Sequence, residues 1–173
     1  MSTLDQSQID FRNAMAQLPA AVNIITTNGP SGRCGITASA VCSVTDSPPT
    51  VLVCLNRNSA MHDIFQSNGK LCINVLCSDQ EDLAKHFAGM TQVTMEERFA
   101  WDIWNAGNTD LPVLRSALVS LEGRISECKS VGSHSVLFVE LDQISTREQG
   151  DSLVYFNRLF HRVERTATAI CAG

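Results

Sequence analysis

Few residues in this 173-residue chain join chemical reactivity to a spacing that would use it. The histidines, His62, His86, His134 and His161, stand neither four apart nor in an H-E-x-x-H run, so their spacing writes no metal-binding helix face. Seven cysteines (34, 42, 54, 72, 77, 128 and 171) include no C-x-x-C pair. Most sit beside Val, Ile or Leu, as in "VLVCL" and "LCINVLC", and read as reduced thiols packed in strands. "GPSGRCG" (29–35) has neither dinucleotide-fold nor Walker glycine spacing and reads as a hairpin turn. Glu96 and Glu97 in "MEERF" read as a solvated helix face, and spacing assembles no Ser-His-Asp set.

Two segments carry more. In "NRNSAM" (56–61) a strand ends at Leu55 and a helix begins near Ser59, gathering free N–H groups and the cation Arg57. Such a point attracts anions such as phosphate. The bland alternative is that Asn58 or Ser59 is an ordinary N-cap. His134 in "GSHSVLF" opens a strand directly after a turn, at a pocket rim or simply in solvent. "GITASAVCSV" (35–44) is the reverse case, with no charge, histidine or aromatic ring, and only hydroxyls, small residues and Cys42. It reads as a place where something approaches the backbone.

The elements that must position these residues are mostly strands. Phe11, Ala14, Met15 and Leu18 mark one helical face over 7–18, stopped by Pro19. "AAVNIITT" (20–27), "TVLVCL" (50–55) and "KLCINVLC" (70–77) read as strands, with a helix after Ser59 that ends at Gly69. "SDQE" (78–81) reads as a capping box opening a helix to Gly89. "LVSLEGRISECKSV", "HSVLFVELDQIST" and "SLVYFNRLF" are long β-type runs. Without regular β-α alternation, the expected fold is mainly β with peripheral helices, a closed antiparallel barrel in a single domain over 1–173.

Composition narrows the function classes. Hydrophobic residues make up 44% and charged residues 18%, which suits a globular domain with a substantial core. A net charge of −5 without a basic run argues against nucleic acid, and no apolar run of 18 residues would span a membrane. "MSTLDQSQIDF" lacks the pattern of a secretory signal, so the expected location is cytoplasmic. Residue chemistry alone leaves open a cofactor-dependent enzyme and a ligand-binding module.

The segments "FRNAMAQLPAAVNIITT", "GITASAVCSVTDSPPTVLVCLNRNSAM", "GKLCINVL", "HFAGMT", "MEERF", "VGSH" and "LVYFNRLFHRV" resemble the short-chain flavin reductases of two-component monooxygenases, from about residue 10 to 163. The resemblance implies an FMN-binding split β-barrel, usually a homodimer, that oxidises NADH or NADPH and reduces FMN or FAD. Reduced flavin then leaves for a separate oxygenase component. It implies that Thr37, Ala38 and Ser39 lie along the isoalloxazine, with Ser43 and Val44 nearby. Asn56, Asn58 and Ser59 would meet the ribityl chain and phosphate, with charge from Lys70. His134 would sit on the nicotinamide side, and Phe156 and Arg158 close to the flavin. Ser133 stands where many members carry Asp, which leaves His134 without that acidic partner.

No catalytic side chain is then expected, because both cofactor rings carry their own reactivity. The flavin reductases of pyrimidine-ring degradation share several of these segments, and a non-enzymatic flavin-binding module could use the same fold.

Overall fold

A computed structural model describes residues 4–166. Its centre is a seven-stranded antiparallel sheet. The strands in chain order are β2 (Asn23–Thr27), β3 (Cys34–Ala38), β4 (Val41–Asp46), β5 (Pro49–Asn56), β6 (Lys70–Val75), β9 (Val119–Val131) and β10 (His134–Thr146). In space they run β3-β2-β6-β9-β10-β5-β4. A second sheet joins β1 (Ala20–Ala21), β11 (Ser152–Phe156) and β12 (Leu159–Val163), and a short pair joins β7 (Trp104–Ala106) to β8 (Pro112–Leu114).

The outermost strands of the large sheet, β3 and β4, are neighbours in sequence, joined only by Ser39 and Ala40. A link that short spans about 10 Å, so the sheet must curl until its two edges nearly meet. Main-chain bonds from Val41 N–H to Ser39 O (2.9 Å) and from Cys54 N–H to Ala40 O (3.0 Å) hold this corner. No strand pairing joins β3 to β4, so the barrel expected to close remains open along one seam. Register shifts that leave Ser126 of β9 and Asp142 of β10 without a partner bend the β9–β10 pair. Close contact there requires glycine, because a Cβ on Gly123 would fall 2.3 Å from the Glu140 carbonyl oxygen.

Alternation along β2 explains the two apolar clusters. Ile25 points into the barrel with Val53, Leu55, Phe65, Leu71, Ile73, Leu137 and Val139. Ile24 points outward into Val22, Leu76, Ala84, Phe87, Leu114 and Leu153. The outer cluster is covered by α3 (Glu81–Phe87), whose Ala84 carbonyl accepts a 2.6 Å bond from the Thr37 hydroxyl. α2 (His62–Asn68) plugs the barrel with Phe65, and α4 (Met95–Ala100) follows α3.

Several sequence expectations are corrected. The helix expected over 7–18 is α1 (Gln6–Met15), and its apolar face buries nothing within the chain. The strand expected over 20–27 breaks at Val22, whose N–H bonds to Leu153 O and whose carbonyl accepts from Leu76 N–H. The "SDQE" capping box does not form. Gln80 is the N-cap, and its side chain serves the Cys77 N–H (2.7 Å) and the Ser116 hydroxyl (2.7 Å) instead. A capping box forms at Thr94 and Glu97, where the tight turn before α4 brings each side chain to the other's N–H.

The described cysteines are all free thiols, and Cys171 lies outside the described residues. Burial pushes Cys34 up to about 12 and raises Cys72 further. Iodoacetamide at pH 8 should therefore label exposed Cys42 and Cys128 in native protein and leave Cys34 and Cys72 unmodified until denaturant is added. Peptide mapping checks this, and native labelling of Cys34 or Cys72 would contradict the packing described.

Candidate active site

Beside the seam lies a cleft of about 530 Å³ lined by Gly35 to Ala40, Cys54, Asn56, Ser59, Met61, Phe87 to Gly89, Met95, Arg98 and His134. Its floor is the edge strand β3. An edge strand pairs on one side only, so alternate N–H groups of β3 lack a strand partner and can serve a ligand. Gly35, Ala38, Ser39 and Ala40 keep that edge low, and a flat ring can lie close to it. The Thr37 hydroxyl is spent on Ala84, so Thr37 offers only its main chain and methyl group.

The opposite wall comes from the β5–β10 pairing, which sets His134 directly across from Asn56. Arg57 clips the two turns together, its N–H donating to Ser133 O (2.9 Å) and its guanidinium to Gly132 O (3.3 Å). Asn56 is exposed, and its Oδ1 is committed to the Asn58 N–H at 2.9 Å, which leaves its Nδ2 as the group it can offer a ligand. Ser59 Oγ accepts from Met61 N–H at 3.3 Å, and α2 starts later than expected, with Met61 as an N-cap lacking a side-chain bond. Neither Asn58 nor Ser59 caps that helix. The exposed His134 has its Nδ1 2.9 Å from the Ser133 hydroxyl. Ser133 thus occupies the partner position with a neutral group.

Of the residues marked in the sequence, the fold gathers Thr37, Ala38, Ser39, Asn56, Ser59 and His134 into this cleft. Asn58 faces a different depression, with Arg57, His62 and Gln66. Ser43 and Val44 lie exposed on β4, beyond the cleft lining. Lys70 is held elsewhere, its Nζ donating to the Thr109 carbonyl at 2.5 Å.

Phe156 ends β11, beside His161. Arg158 sits in a left-handed turn with Asn157 (φ 62° and 49°) and donates to Asn13 Oδ1 at 2.7 Å. It lines an adjoining apolar groove of about 960 Å³ that shares Ser39, Ala40 and Cys54 with the cleft.

The residues that sequence reasoning missed are Phe87, Gly89, Met95 and Arg98, which close the cleft from the α3–α4 side. Glu96 and Glu97 are solvated as expected, but Arg98 turns inward to 7% exposure. The available signal was its place between Met95 and Phe99 in "MEERF", a charge within an apolar helical stripe.

The cleft thus sets small residues over an unpaired strand edge, opposite a histidine at a turn. The family described as "Flavin reductase like domain" matches residues 15–164, so the chain belongs to the flavin reductase-like family and is an oxidoreductase of that class.

Among curated relatives, the chain is 60% identical to the 4-hydroxyphenylacetate 3-monooxygenase reductase component of Pseudomonas aeruginosa, across 95% of this chain and 96% of the relative. It is 54% identical to an FMN reductase (NADH), RutF, of Stutzerimonas stutzeri, across 88% of this chain and 86% of that protein. The crystal structure of a "putative flavin reductase" from Haemophilus somnus superimposes with a TM-score of 0.85 at 42% identity, covering 92% of this chain and all of that one. The mainly β, split-barrel-like fold expected from the sequence is shared with that solved structure. Among the described residues, no helix is long and apolar enough to cross a membrane.

Replacing His134 with alanine is expected to raise KM for NADH about tenfold with little change in kcat. The side chain is exposed beside the cleft and its hydrogen-bond partner is the neutral Ser133 hydroxyl, so the expected effect is on binding rather than on proton transfer. A large fall in kcat at unchanged KM would assign it a chemical role instead.

Proposed function

We propose that this protein oxidises NADH, reduces FMN or FAD, and supplies the reduced flavin to the oxygenase component of a 4-hydroxyphenylacetate 3-monooxygenase. The observation that carries the reading is the cleft itself, where the small-residue edge of β3 faces His134 across the β5–β10 wall. The 60% identity over nearly the whole chain to a 4-hydroxyphenylacetate 3-monooxygenase reductase component favours this partner over a pyrimidine-ring oxygenase, and the 54% identity to an FMN reductase (NADH) supports FMN and NADH as substrates.

When both groups are bound, hydride passes from nicotinamide C4 to flavin N5. The chain's part is to hold the two rings in stacking contact, exclude water, and offer main-chain donors where negative charge grows. Alternate residues of β3 and its corner, Thr37 and Ser39, have main-chain N–H groups turned away from β2 to act as such donors, and Met61, Phe87 and Met95 provide apolar walls. A flavin that must leave suits micromolar affinity, about −8 kcal/mol.

The reading extends to a homodimer. Phe11 (64% exposed), Leu18 (58%) and Met15 (44%) form an apolar stripe on and just after α1 that a second copy would cover, beside the groove adjoining the cleft. Light scattering on the purified protein tests this.

Following NADH absorbance while adding FMN, FAD or riboflavin tests the enzyme reading, and a rate independent of added flavin would overturn it. A flavin-binding module would instead purify yellow and turn nothing over. Coupling to oxygenases separates the two partners, since product from 4-hydroxyphenylacetate supports the proposal and product only from a pyrimidine ring replaces it.

A further inference from the structure

Arg98 is a buried cation, and no carboxylate among the described residues forms an ion pair with it. Its Nη2 donates to the Val93 carbonyl at 2.6 Å, and its guanidinium stands 5.5 Å from the Phe87 ring centroid. Its buried Nε has no partner at all. The adjacent Glu97 is committed to Thr94, its Oε2 accepting from that residue's N–H (2.7 Å) and hydroxyl (2.8 Å). By contrast, Arg115, Arg124 and Arg162 each reach a carboxylate from an exposed position.

Burying an uncompensated charge is strongly unfavourable, so this position is costly unless something in the cleft compensates it. The chemistry best matched to an unsatisfied guanidinium fork is a phosphate oxygen. The surroundings leave room for one. Arg98 lines the cleft beside Ala88 and Gly89, and the space where a Gly89 side chain would stand contains no atom within 4 Å.

We propose that Arg98 binds a phosphate group of the nucleotide in the cleft. The inference rests on the flavin reductase reading of that cleft. It moves the charged contact from Lys70, which is tied to Thr109, to the α3–α4 side. Two sources offer this chemistry, the terminal phosphate of the flavin nucleotide and the pyrophosphate of the nicotinamide dinucleotide.

Full-length Arg98→Met and Arg98→Lys variants test it in steady-state assays of two matched pairs. One pair is FMN against riboflavin with NADH as donor. The other is NADH against the phosphate-free donor 1-benzyl-1,4-dihydronicotinamide. Arg98→Met is expected to raise KM at least tenfold for one phosphate-bearing substrate and to leave its phosphate-free counterpart within twofold. Arg98→Lys should recover part of the loss. A change confined to FMN assigns the flavin phosphate, and one confined to NADH assigns the pyrophosphate.

Equal effects on both members of each pair, or no effect, would overturn the proposal. The melting temperature of unliganded Arg98→Met should be unchanged or higher, because methionine keeps the contact with Phe87 and removes the bare charge. Should neither variant fold, the wild type decides by equilibrium binding. A tenfold preference for the phosphate-bearing member of at least one pair supports the proposal, and equal affinity within both pairs overturns it. A wild type that never oxidises NADH with any flavin would instead refute the enzyme reading on which this rests.

Discussion

Ser39→Trp is expected to weaken flavin binding at least a hundredfold, about 2.7 kcal/mol, while the protein stays folded. Ser39 lies at the two-residue corner between β3 and β4, with an exposed side chain facing both the cleft and the adjoining groove. Its structural contribution is its carbonyl, which accepts from Val41 N–H, and that bond does not depend on the side chain. An indole there would occupy the space where a flat ring must approach the β3 edge, and no strand pairing would be lost. Flavin fluorescence quenching measures the affinity, and circular dichroism with a thermal melt checks the fold. Full affinity in a folded variant would place the ring somewhere other than over residues 37 to 39.

Phe87→Ala is expected to cost about 3–5 kcal/mol of stability, against the roughly 5–15 kcal/mol that a domain possesses. Phe87 is 4% exposed and ends α3. Its ring packs edge-on against Phe99 at 5.5 Å and Trp104 at 5.6 Å, and it also underlies Arg98. Removing it opens a void where α3, α4 and β7 meet, and the cleft wall loses support at the same point. Urea unfolding gives the stability change.

A double-mutant cycle sharpens this test. A Cβ on Gly35 would lie 2.8 Å from Phe87 Cε1, so Gly35→Ala should be destabilising alone and better tolerated once Phe87 is alanine. Strict additivity would mean that β3 and α3 are not packed as described.

What was legible in the sequence was local. The Val, Ile and Thr runs marked β2, β5 and β6 because alternation and β-branching are properties of neighbouring residues. The small residues from Gly35 to Ala40 marked a backbone approach, and they line the cleft. The long-range parts were hidden. The apolar pattern of α1 suggested a helix packed on its own core, yet nothing in the pattern says whether the covering surface belongs to the same chain.

"SDQE" has the spacing of a capping box but fails because Ser116, 36 residues beyond Gln80, claims the glutamine amide. Lys70 and Arg98 show the same limit for charge. Which cation turns toward the cleft depends on where Thr109 and Phe87 arrive in space.

The break between β3 and β4 has a kinetic consequence. Elsewhere around the sheet, neighbouring strands are zipped by main-chain pairing, and parting them would mean breaking several bonds together. Along that single line there is nothing to unzip. A guest resting there can depart while the host keeps its entire ladder, so its residence time is governed by its own contacts with the free β3 edge and the lining side chains, and by solvation. For a carrier whose cargo must be delivered to another protein, rapid turnaround is then a property of strand order.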